Sequence, residues 1–208
     1  MSAVKKPPCC KVVLLGDSGV GKTCIISRYI SGAFDQNSPT TNGASYASKI
    51  ITLDNLAKTI SLDIWDTAGQ EKYKSLTKFF YKDAKVAILV YDITQKESYN
   101  NLKSYWYEQL KEFGSKDIVI GIAGNKCDMY EKEEVNENEA KKFAEEIGAF
   151  FEITSAKNNT GINDLFMHAS IRLFDPDFKN NTGNENKESE GNVKLESSPG
   201  KKERRRCC

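Results

Sequence analysis

The residues with the clearest chemical meaning form one short run, 16–23, which reads Gly-Asp-Ser-Gly-Val-Gly-Lys-Thr and fits the pattern GxxxxGK[ST]. An apolar, β-branched stretch at 11–15 precedes it, and a stretch with helical periodicity at 24–30 follows it. A strand, a glycine turn and a helix N-terminus aim several backbone N–H groups at one point, which suits a phosphate. The pattern places Lys22 at the β- and γ-phosphates and the Thr23 hydroxyl on Mg²⁺. An ordinary glycine-rich turn is the alternative, but Lys-Thr in register favours a nucleoside triphosphate site. The residues predicted to contact the nucleotide here are Asp17, Ser18, Gly19, Val20, Gly21, Lys22, Thr23 and Cys24.

The choice of base is predicted by the run Asn-Lys-Cys-Asp at 125–128, which directly follows an apolar strand. The Asp128 carboxylate can accept hydrogen bonds from N1–H and the 2-amino group of guanine. Adenine has neither donor there and would leave a desolvated carboxylate unpaired. The Lys126 stem can lie along the base plane, and Ser-Ala-Lys at 155–157 can add a backbone N–H to the guanine oxygen. Each run alone is a plausible polar turn, but together they predict a guanine site made of Asn125, Lys126, Asp128, Ser155, Ala156 and Lys157.

A third motif, Asp-Thr-Ala-Gly-Gln at 66–70, ends the strand that contains Asp63, Ile64 and Trp65. Asp66 suits a contact to Mg²⁺ through water. Gly69 lets the backbone donate an N–H to the γ-phosphate, and Gln70 is placed to orient an attacking water. These residues predict GTP hydrolysis.

In this order, the motifs resemble those of Ras-like small GTPases over residues 11–174, and within that superfamily those of the Rab family. The segment Leu-Val-Tyr-Asp-Ile-Thr at 89–94 matches a Rab segment unaltered, and the chain ends in Cys207 and Cys208, which resemble the Rab double-prenylation signal. The resemblance implies Thr41 as a further Mg²⁺ and γ-phosphate ligand, so that the metal ligands are Thr23, Thr41 and Asp66 through water. It implies Phe34 beside the guanine, and an apolar effector surface of Tyr46, Trp65 and Phe80, which would otherwise be ordinary half-buried aromatics. The implied catalytic group is Lys22, Thr41, Gly69 and Gln70.

The resemblance also implies partners: an exchange factor, a GTPase-activating protein, a Rab escort protein, a GDP-dissociation inhibitor and effectors. Two departures affect partner identity. Asn42 stands where the family has isoleucine, and the segment 53–58 is about two residues longer than the usual hairpin, which predicts a surface insertion. The run Gly-Ala-Ser-Tyr at 43–46 is similar to that of early-endosomal Rabs, which indicates an endocytic role; a secretory-pathway Rab is the alternative.

Short apolar runs alternate with helical segments from 11 to 174, which predicts an α/β fold of the P-loop NTPase, Ras-like G-domain type: a mostly parallel six-stranded sheet with helices on both faces. We expect a short extension at 1–10, a GTPase domain at 11–174 and a disordered tail at 175–208. His168 lies off the apolar stripe of the last helix, which predicts a surface residue rather than a catalytic or metal group.

Composition and cysteine spacing argue against a nucleic-acid-binding, a zinc-binding or a disulfide-rich protein. The formal net charge is +1, so no overall field favours nucleic acid, and we expect no nucleic-acid partner. The six cysteines fit neither zinc spacing nor a disulfide framework. The N-terminus lacks the apolar run of a secretory signal, so we expect the cytoplasmic face of an intracellular membrane, with a cytosolic pool when GDP is bound.

The tail combines a polar, mostly acidic stretch with a basic end. Residues 201–208 hold five basic side chains and one acidic one, beside the two cysteines. Two geranylgeranyl chains would anchor the protein stably, and the basic cluster adds attraction to anionic lipid. A solvated tail with two free thiols is the alternative.

The first switch, 34–46, contains no arginine that could act as a finger in cis. We therefore expect slow hydrolysis that depends on an activating protein. A non-hydrolysing scaffold that binds GTP constitutively is the alternative of a different class. An ATP-dependent kinase or motor is disfavoured, because adenine has no hydrogen-bond donor for Asp128.

Overall fold

The strands that the structure describes form one six-stranded sheet. Our computed structural model describes residues 6–37, 39, 41, 43–67, 80–175 and 178. Within them the strand order is β2-β3-β1-β4-β5-β6, in which only the β2–β3 pair is antiparallel. This confirms the prediction of a mostly parallel six-stranded sheet. The strands are β1 (Cys9–Leu15), β2 (Ala44–Leu53), β3 (Lys58–Thr67), β4 (Val86–Asp92), β5 (Val119–Asn125) and β6 (Phe150–Ile153).

The helices connect the parallel strands and cover both faces of the sheet. In the described part of the chain they are α1 (Lys22–Ser31), α2 (Lys96–Asn101), α3 (Tyr107–Phe113), α4 (Glu137–Glu146) and α5 (Ile162–Arg172). A π turn, Leu102–Trp106, joins α2 to α3, and a 3₁₀ segment, Cys127–Lys132, follows β5. The Asn136 side chain caps α4 by accepting hydrogen bonds from the backbone N–H groups of Asn138 and Glu139. No helix among these residues is long and apolar enough to cross a membrane.

Alternate residues of β1 point into two separate cores, one on each face of the sheet. Val12 and Leu14 pack with α1 and α5, whereas Val13 and Leu15 pack with α2, α3 and α4. All seven residues of β4 are buried, because this strand lies between β1 and β5 and has helices on both sides. The carboxyl ends of β1, β3, β4 and β5 therefore come together at one edge, which is where ligands bind in such sheets.

The first strand begins earlier than the sequence indicated. Its start was predicted at Lys11, but Cys9 and Cys10 already pair with Ser61 and Leu62 of β3. The longer hairpin between β2 and β3 is also less superficial than expected, because Leu53 is buried and the side chain of Leu56 packs against the α1/α5 core. Both additions extend the sheet at the end away from the glycine-rich run 16–23, which we call the phosphate loop.

Candidate nucleotide site

A cavity of about 330 Å³ opens at the carboxyl ends of the strands. It is bounded by the phosphate loop, the segment after α1 and the two loops that follow β5 and β6. Thirteen of the residues predicted to contact the nucleotide line it: Ser18, Gly19, Gly21, Lys22, Thr23, Cys24, Phe34, Thr41, Asn125, Lys126, Asp128, Ala156 and Lys157. The structure therefore brings together segments that are far apart in the sequence.

Two glycines allow the phosphate loop to fold tightly. Gly16 has a φ of 145°, and a Cβ there would lie 2.2 Å from the carbonyl oxygen of Val90. Gly21 has a φ of 99°, and its Cβ would lie 2.3 Å from the Asn125 side-chain amide. Gly21 is also the residue before α1, and no described side chain caps this helix. The N–H groups of its first turn are thus available to an anion.

The side chain of Lys22 is held over the phosphate loop by backbone carbonyl oxygens of the loop itself. Its ammonium group donates to the carbonyl oxygens of Gly16 at 2.7 Å and Asp17 at 2.8 Å. Burial lowers the pKa of Lys22 to about 8, against the opposing effect of the Asp66 and Asp17 carboxylates. A phosphate bound here would stabilise the charged form of Lys22, because its oxygens would replace the water that the buried ammonium group has lost.

Three oxygen-bearing side chains from three different segments meet beside the loop. The Thr23 hydroxyl lies 2.7 Å from the Thr41 hydroxyl and donates to Asp66 Oδ2 at 2.6 Å, and Thr41 Oγ1 lies 3.5 Å from the same oxygen. The other carboxylate oxygen, Asp66 Oδ1, is buried and has no hydrogen-bond partner among the described residues. Burial raises the pKa of Asp66. A cation beside this carboxylate would relieve that cost.

This hydroxyl–carboxylate cluster has the chemistry of a magnesium site. Mg²⁺ prefers hard oxygen ligands and keeps several of its waters or substrate phosphate oxygens. The described residues contain no group of three His, Cys, Asp or Glu side chains that could hold a metal by themselves. A metal at Thr23, Thr41 and Asp66 would therefore need further oxygens from a phosphate.

At the other end of the cavity, Asp128 is fixed by the loop that follows β6. Its Oδ1 accepts a hydrogen bond from the buried Ser155 hydroxyl at 2.6 Å, and its Oδ2 lies 3.9 Å from the Lys157 ammonium group. Lys126 has a φ of 69° and forms an ion pair with the buried Asp92 carboxylate at 2.6 Å. The sequence motifs do not indicate this role for Asp92, although the residue lies in the segment 89–94.

Asn125 links the two ends of the cavity. Its side-chain amide donates to the Val20 carbonyl oxygen in the phosphate loop at 2.8 Å and accepts from the Thr154 hydroxyl at 3.2 Å. The side chain is buried, and both of its polar ends are used. It therefore holds the phosphate loop against the loop that follows β6, residues 154–157, which we call the base loop.

Four predicted contact residues do not line the cavity: Asp17, Val20, Asp66 and Ser155. The Asp17 carboxylate is turned away from it, where it accepts hydrogen bonds from the Trp106 indole at 2.7 Å and the Asn101 amide at 2.8 Å. Val20 is buried in the α1/α5 core. Of these two residues, only backbone groups remain for a ligand. Asn101 and Trp106 are supporting residues that the sequence motifs did not indicate.

Comparison with known proteins agrees with this geometry. Residues 11–174 match the model of the Ras family. Human Ras-related protein Rab-22A is 46% identical over 164 residues, which cover 78% of this chain and 82% of that protein. Mouse Ras-related protein Rab-31 is 44% identical over 199 residues, which cover 95% and 96%. Tobacco (Nicotiana tabacum) Ras-related protein Rab5 is 43% identical over 163 residues, which cover 78% and 80%.

The chain belongs to the Ras family. The relatives place it among the Rab small GTPases, as the sequence predicted, and the fold is that of the Ras-like G domain. As a member of this family it hydrolyses GTP to GDP and phosphate.

This Rab carries a row of aromatic side chains on the face of β2 and β3. The ring centroids of Tyr46 and Trp65 lie 5.5 Å apart, and those of Trp65 and Phe80 lie 6.3 Å apart. Tyr46 is 53% exposed, and its hydroxyl donates to Asp63 at 2.8 Å. The three residues predicted as an effector surface are thus neighbours.

Several predictions for this Rab lie outside the described residues: those for Asn42, Gly69, Gln70, Cys207 and Cys208. The predicted surface position of His168 is only partly correct, because the residue is half-buried. Its side chain is only 17% exposed, and Nδ1 lies 2.5 Å from the Glu152 carboxylate of β6. The neighbouring strand covers the residue, which the periodicity of one helix cannot reveal.

Proposed function

We propose that the protein is a membrane-anchored switch that alternates between GTP and GDP and recruits effectors in vesicular trafficking. The observation that carries this proposal is the contact between Thr41 and Thr23. It brings the first switch to within 2.7 Å of the phosphate loop, beside Asp66. A group held at this point can respond to the γ-phosphate and so change the segment that effectors contact.

In this proposal each group of the site has one task. Lys22 and the N–H groups at the start of α1 hold the phosphates, and Thr23, Thr41 and Asp66 hold Mg²⁺, the last through water. When bound, Mg²⁺ neutralises charge that develops on the phosphate oxygens. Asp128 accepts from guanine, and Ser155 keeps its carboxylate in place. Phe34 covers the base, and the Gly69 N–H and Gln70 act at the γ-phosphate and the attacking water.

We expect slow intrinsic hydrolysis, because the segment 34–46 has no arginine and an arginine from an activating protein adds roughly 10³–10⁵ in rate. Replacing Gln70 by leucine tests this directly. In single-turnover assays with an activating protein, Gln70→Leu should stay in the GTP form while the wild type converts to GDP. Equal rates would remove Gln70 from the mechanism. If the wild type itself converts no GTP, a scaffold that binds GTP constitutively replaces the switch.

The membrane anchor in this proposal is a geranylgeranyl group on each of Cys207 and Cys208, supported by the basic residues at 201–206. Escort protein and GDP-dissociation inhibitor would then handle the lipidated chain and give a cytosolic pool of the GDP form. Deleting the two cysteines should release the protein into the soluble fraction of cells and leave its affinity for GDP unchanged. Persistent membrane association would point to another anchor.

For the organelle, the run Gly-Ala-Ser-Tyr at 43–46, similar to that of early-endosomal Rabs, favours an endocytic membrane. The exposed Tyr46 of this run belongs to the proposed effector surface. A tagged protein with an intact tail, imaged against organelle markers, should overlap with early endosomes. Overlap with secretory compartments would support the secretory-pathway alternative instead.

A further inference from the structure

One arginine outside every nucleotide motif donates to three backbone carbonyl oxygens in two separate segments. Arg28 lies in α1, six residues after Lys22. Its Nε donates to the carbonyl oxygen of Ala156 at 2.7 Å, and its Nη2 donates to that of Lys157 at 3.0 Å. Its Nη1 donates to the carbonyl oxygen of Gly32, the residue that ends α1. The guanidinium group therefore joins the base loop to the start of the first switch.

The same guanidinium lies against the aromatic ring of the first switch. Its central carbon is 5.8 Å from the ring centroid of Phe34, which lines the cavity and packs against the α1/α5 core. A cation over an aromatic face is attracted by the ring quadrupole. Phe34 and the base loop are thus both held by the Arg28 side chain.

The geometry suits arginine rather than lysine. A guanidinium group is planar and carries five N–H donors in a fixed fork, so it can serve several carbonyl oxygens in one arrangement. An ammonium group is a point charge on a flexible stem and cannot hold two neighbouring carbonyls and a third one in register. The Arg28 fork fixes the backbone of Ala156 and Lys157, the residues that follow Ser155, and Ser155 in turn fixes Asp128.

We propose that Arg28 is a positioning residue that sets how long guanine nucleotide stays bound. It holds the base loop and Phe34 together, so that moving the first switch away, as an exchange factor would, also loosens the base loop. This inference rests on the proposed roles of the base loop and Phe34. Arg28 itself does not line the cavity in which phosphate and base would bind.

The test compares Arg28→Met with a matched control, Arg172→Met. Arg172 has the same chemistry at the end of α5: it donates to the carbonyl oxygens of Phe178 and Gly148 and lies 5.5 Å from the Phe150 ring. The dissociation of a fluorescent GDP analogue is measured by stopped flow, in the presence of Mg²⁺, on the full chain. We expect Arg28→Met to accelerate release by roughly tenfold or more, and Arg172→Met to stay within about twofold of the wild type.

Equal rates for Arg28→Met and the wild type would overturn the inference, as would equal acceleration by Arg172→Met. Arg28→Lys separates geometry from charge and serves if the methionine variant does not fold. It keeps the cation but loses the fork, and we expect it to release GDP clearly faster than the wild type. The wild type is measured first: failure to bind GDP would contradict the proposed function, whereas tight binding with unchanged Arg28 variants would contradict only this inference.

A double-mutant cycle tests the coupling to the first switch. Phe34→Leu alone should also accelerate GDP release. If Arg28 acts through Phe34, the double variant should release GDP more slowly than the product of the two single accelerations predicts. Accelerations that multiply would show that Arg28 does not act through the first switch.

Discussion

The Ser155 hydroxyl donates to the Asp128 carboxylate at 2.6 Å, across two loops whose residues lie 27 positions apart in the sequence. Ser155 is completely buried, and its hydroxyl oxygen also accepts a hydrogen bond from the backbone N–H of Asn158 at 3.0 Å. The carboxylate that selects guanine in our proposal is therefore oriented before the base arrives. Such preorganisation reduces the entropy that binding costs.

Replacing Ser155 by alanine should weaken GDP binding. The carboxylate loses its donor and gains freedom to turn, which we expect to cost about 1–2 kcal/mol, a factor of roughly 5–30 in affinity. The affinity of the wild type and of Ser155→Ala for GDP is measured by isothermal titration calorimetry. Ser170→Ala is the control, because that serine is equally buried and donates at 2.6 Å to Phe166 in α5, away from the cavity. Equal loss in both variants would mean a general effect on stability.

The hydroxyl–carboxylate cluster predicts a dependence on metal. In the wild type, chelating Mg²⁺ with EDTA should accelerate GDP release. Thr23→Val removes one proposed metal ligand, so it should release GDP roughly tenfold faster with Mg²⁺ present and respond little to EDTA. Thr52→Val, which alters a hydroxyl pair on the β2–β3 hairpin, should behave like the wild type. A Thr23→Val protein with the full response to EDTA would remove Thr23 from the metal site.

The support of the phosphate loop by α2 and the π turn predicts an effect at a distance. Trp106→Phe removes the indole N–H that holds the Asp17 carboxylate at 2.7 Å. Because Asp17 also accepts from Lys22 through its carbonyl oxygen, we expect GDP affinity to fall by roughly fivefold, about 1 kcal/mol. Tyr99→Phe is the control, since it removes a bond from α2 to Glu139 instead. An unchanged affinity in Trp106→Phe would show that the loop holds its shape without this bond.

The environment of Cys9 predicts a pH profile. Burial and the hydrogen bond to Asp63 raise the pKa of Cys9 to about 11, although the residue is exposed. Since only the thiolate reacts, iodoacetamide labelling of Cys9 should rise about tenfold per pH unit from pH 8 and level off near 11. Site-resolved mass spectrometry measures it, and Asp63→Asn should label faster at pH 8. A plateau near pH 9 in the wild type would contradict the contact with Asp63, which also orients Tyr46.

Much of the fold and site could be predicted because the signals are local. The phosphate loop, the segment 125–128 and the continuous apolar runs of β4 and β5 are all contiguous in the sequence. The supporting contacts could not be predicted, because each depends on folding. Trp106 lies 89 residues from Asp17, and Arg28 lies 129 residues from Lys157.

The start of β1 could not be predicted from the sequence for a different reason. Cys9 and Cys10 follow two prolines and have no alternating pattern, so the sequence does not indicate a strand there. Their extended conformation is imposed by the pairing with Ser61 and Leu62 of β3. The partial burial of His168 could not be predicted for a similar reason, because its partner Glu152 lies on β6.

The most direct test of the central claim, a switch specific for guanine nucleotide, is the affinity of Asp128→Asn for GTP and for xanthosine triphosphate. An amide in place of the carboxylate offers an N–H₂ donor where guanine presents donors, and xanthine presents a carbonyl oxygen there. We predict that GTP affinity falls by roughly a hundredfold or more, about 3 kcal/mol, and that the xanthine nucleotide becomes the preferred ligand. Undiminished affinity for GTP would show that the base is recognised elsewhere, and would contradict the account.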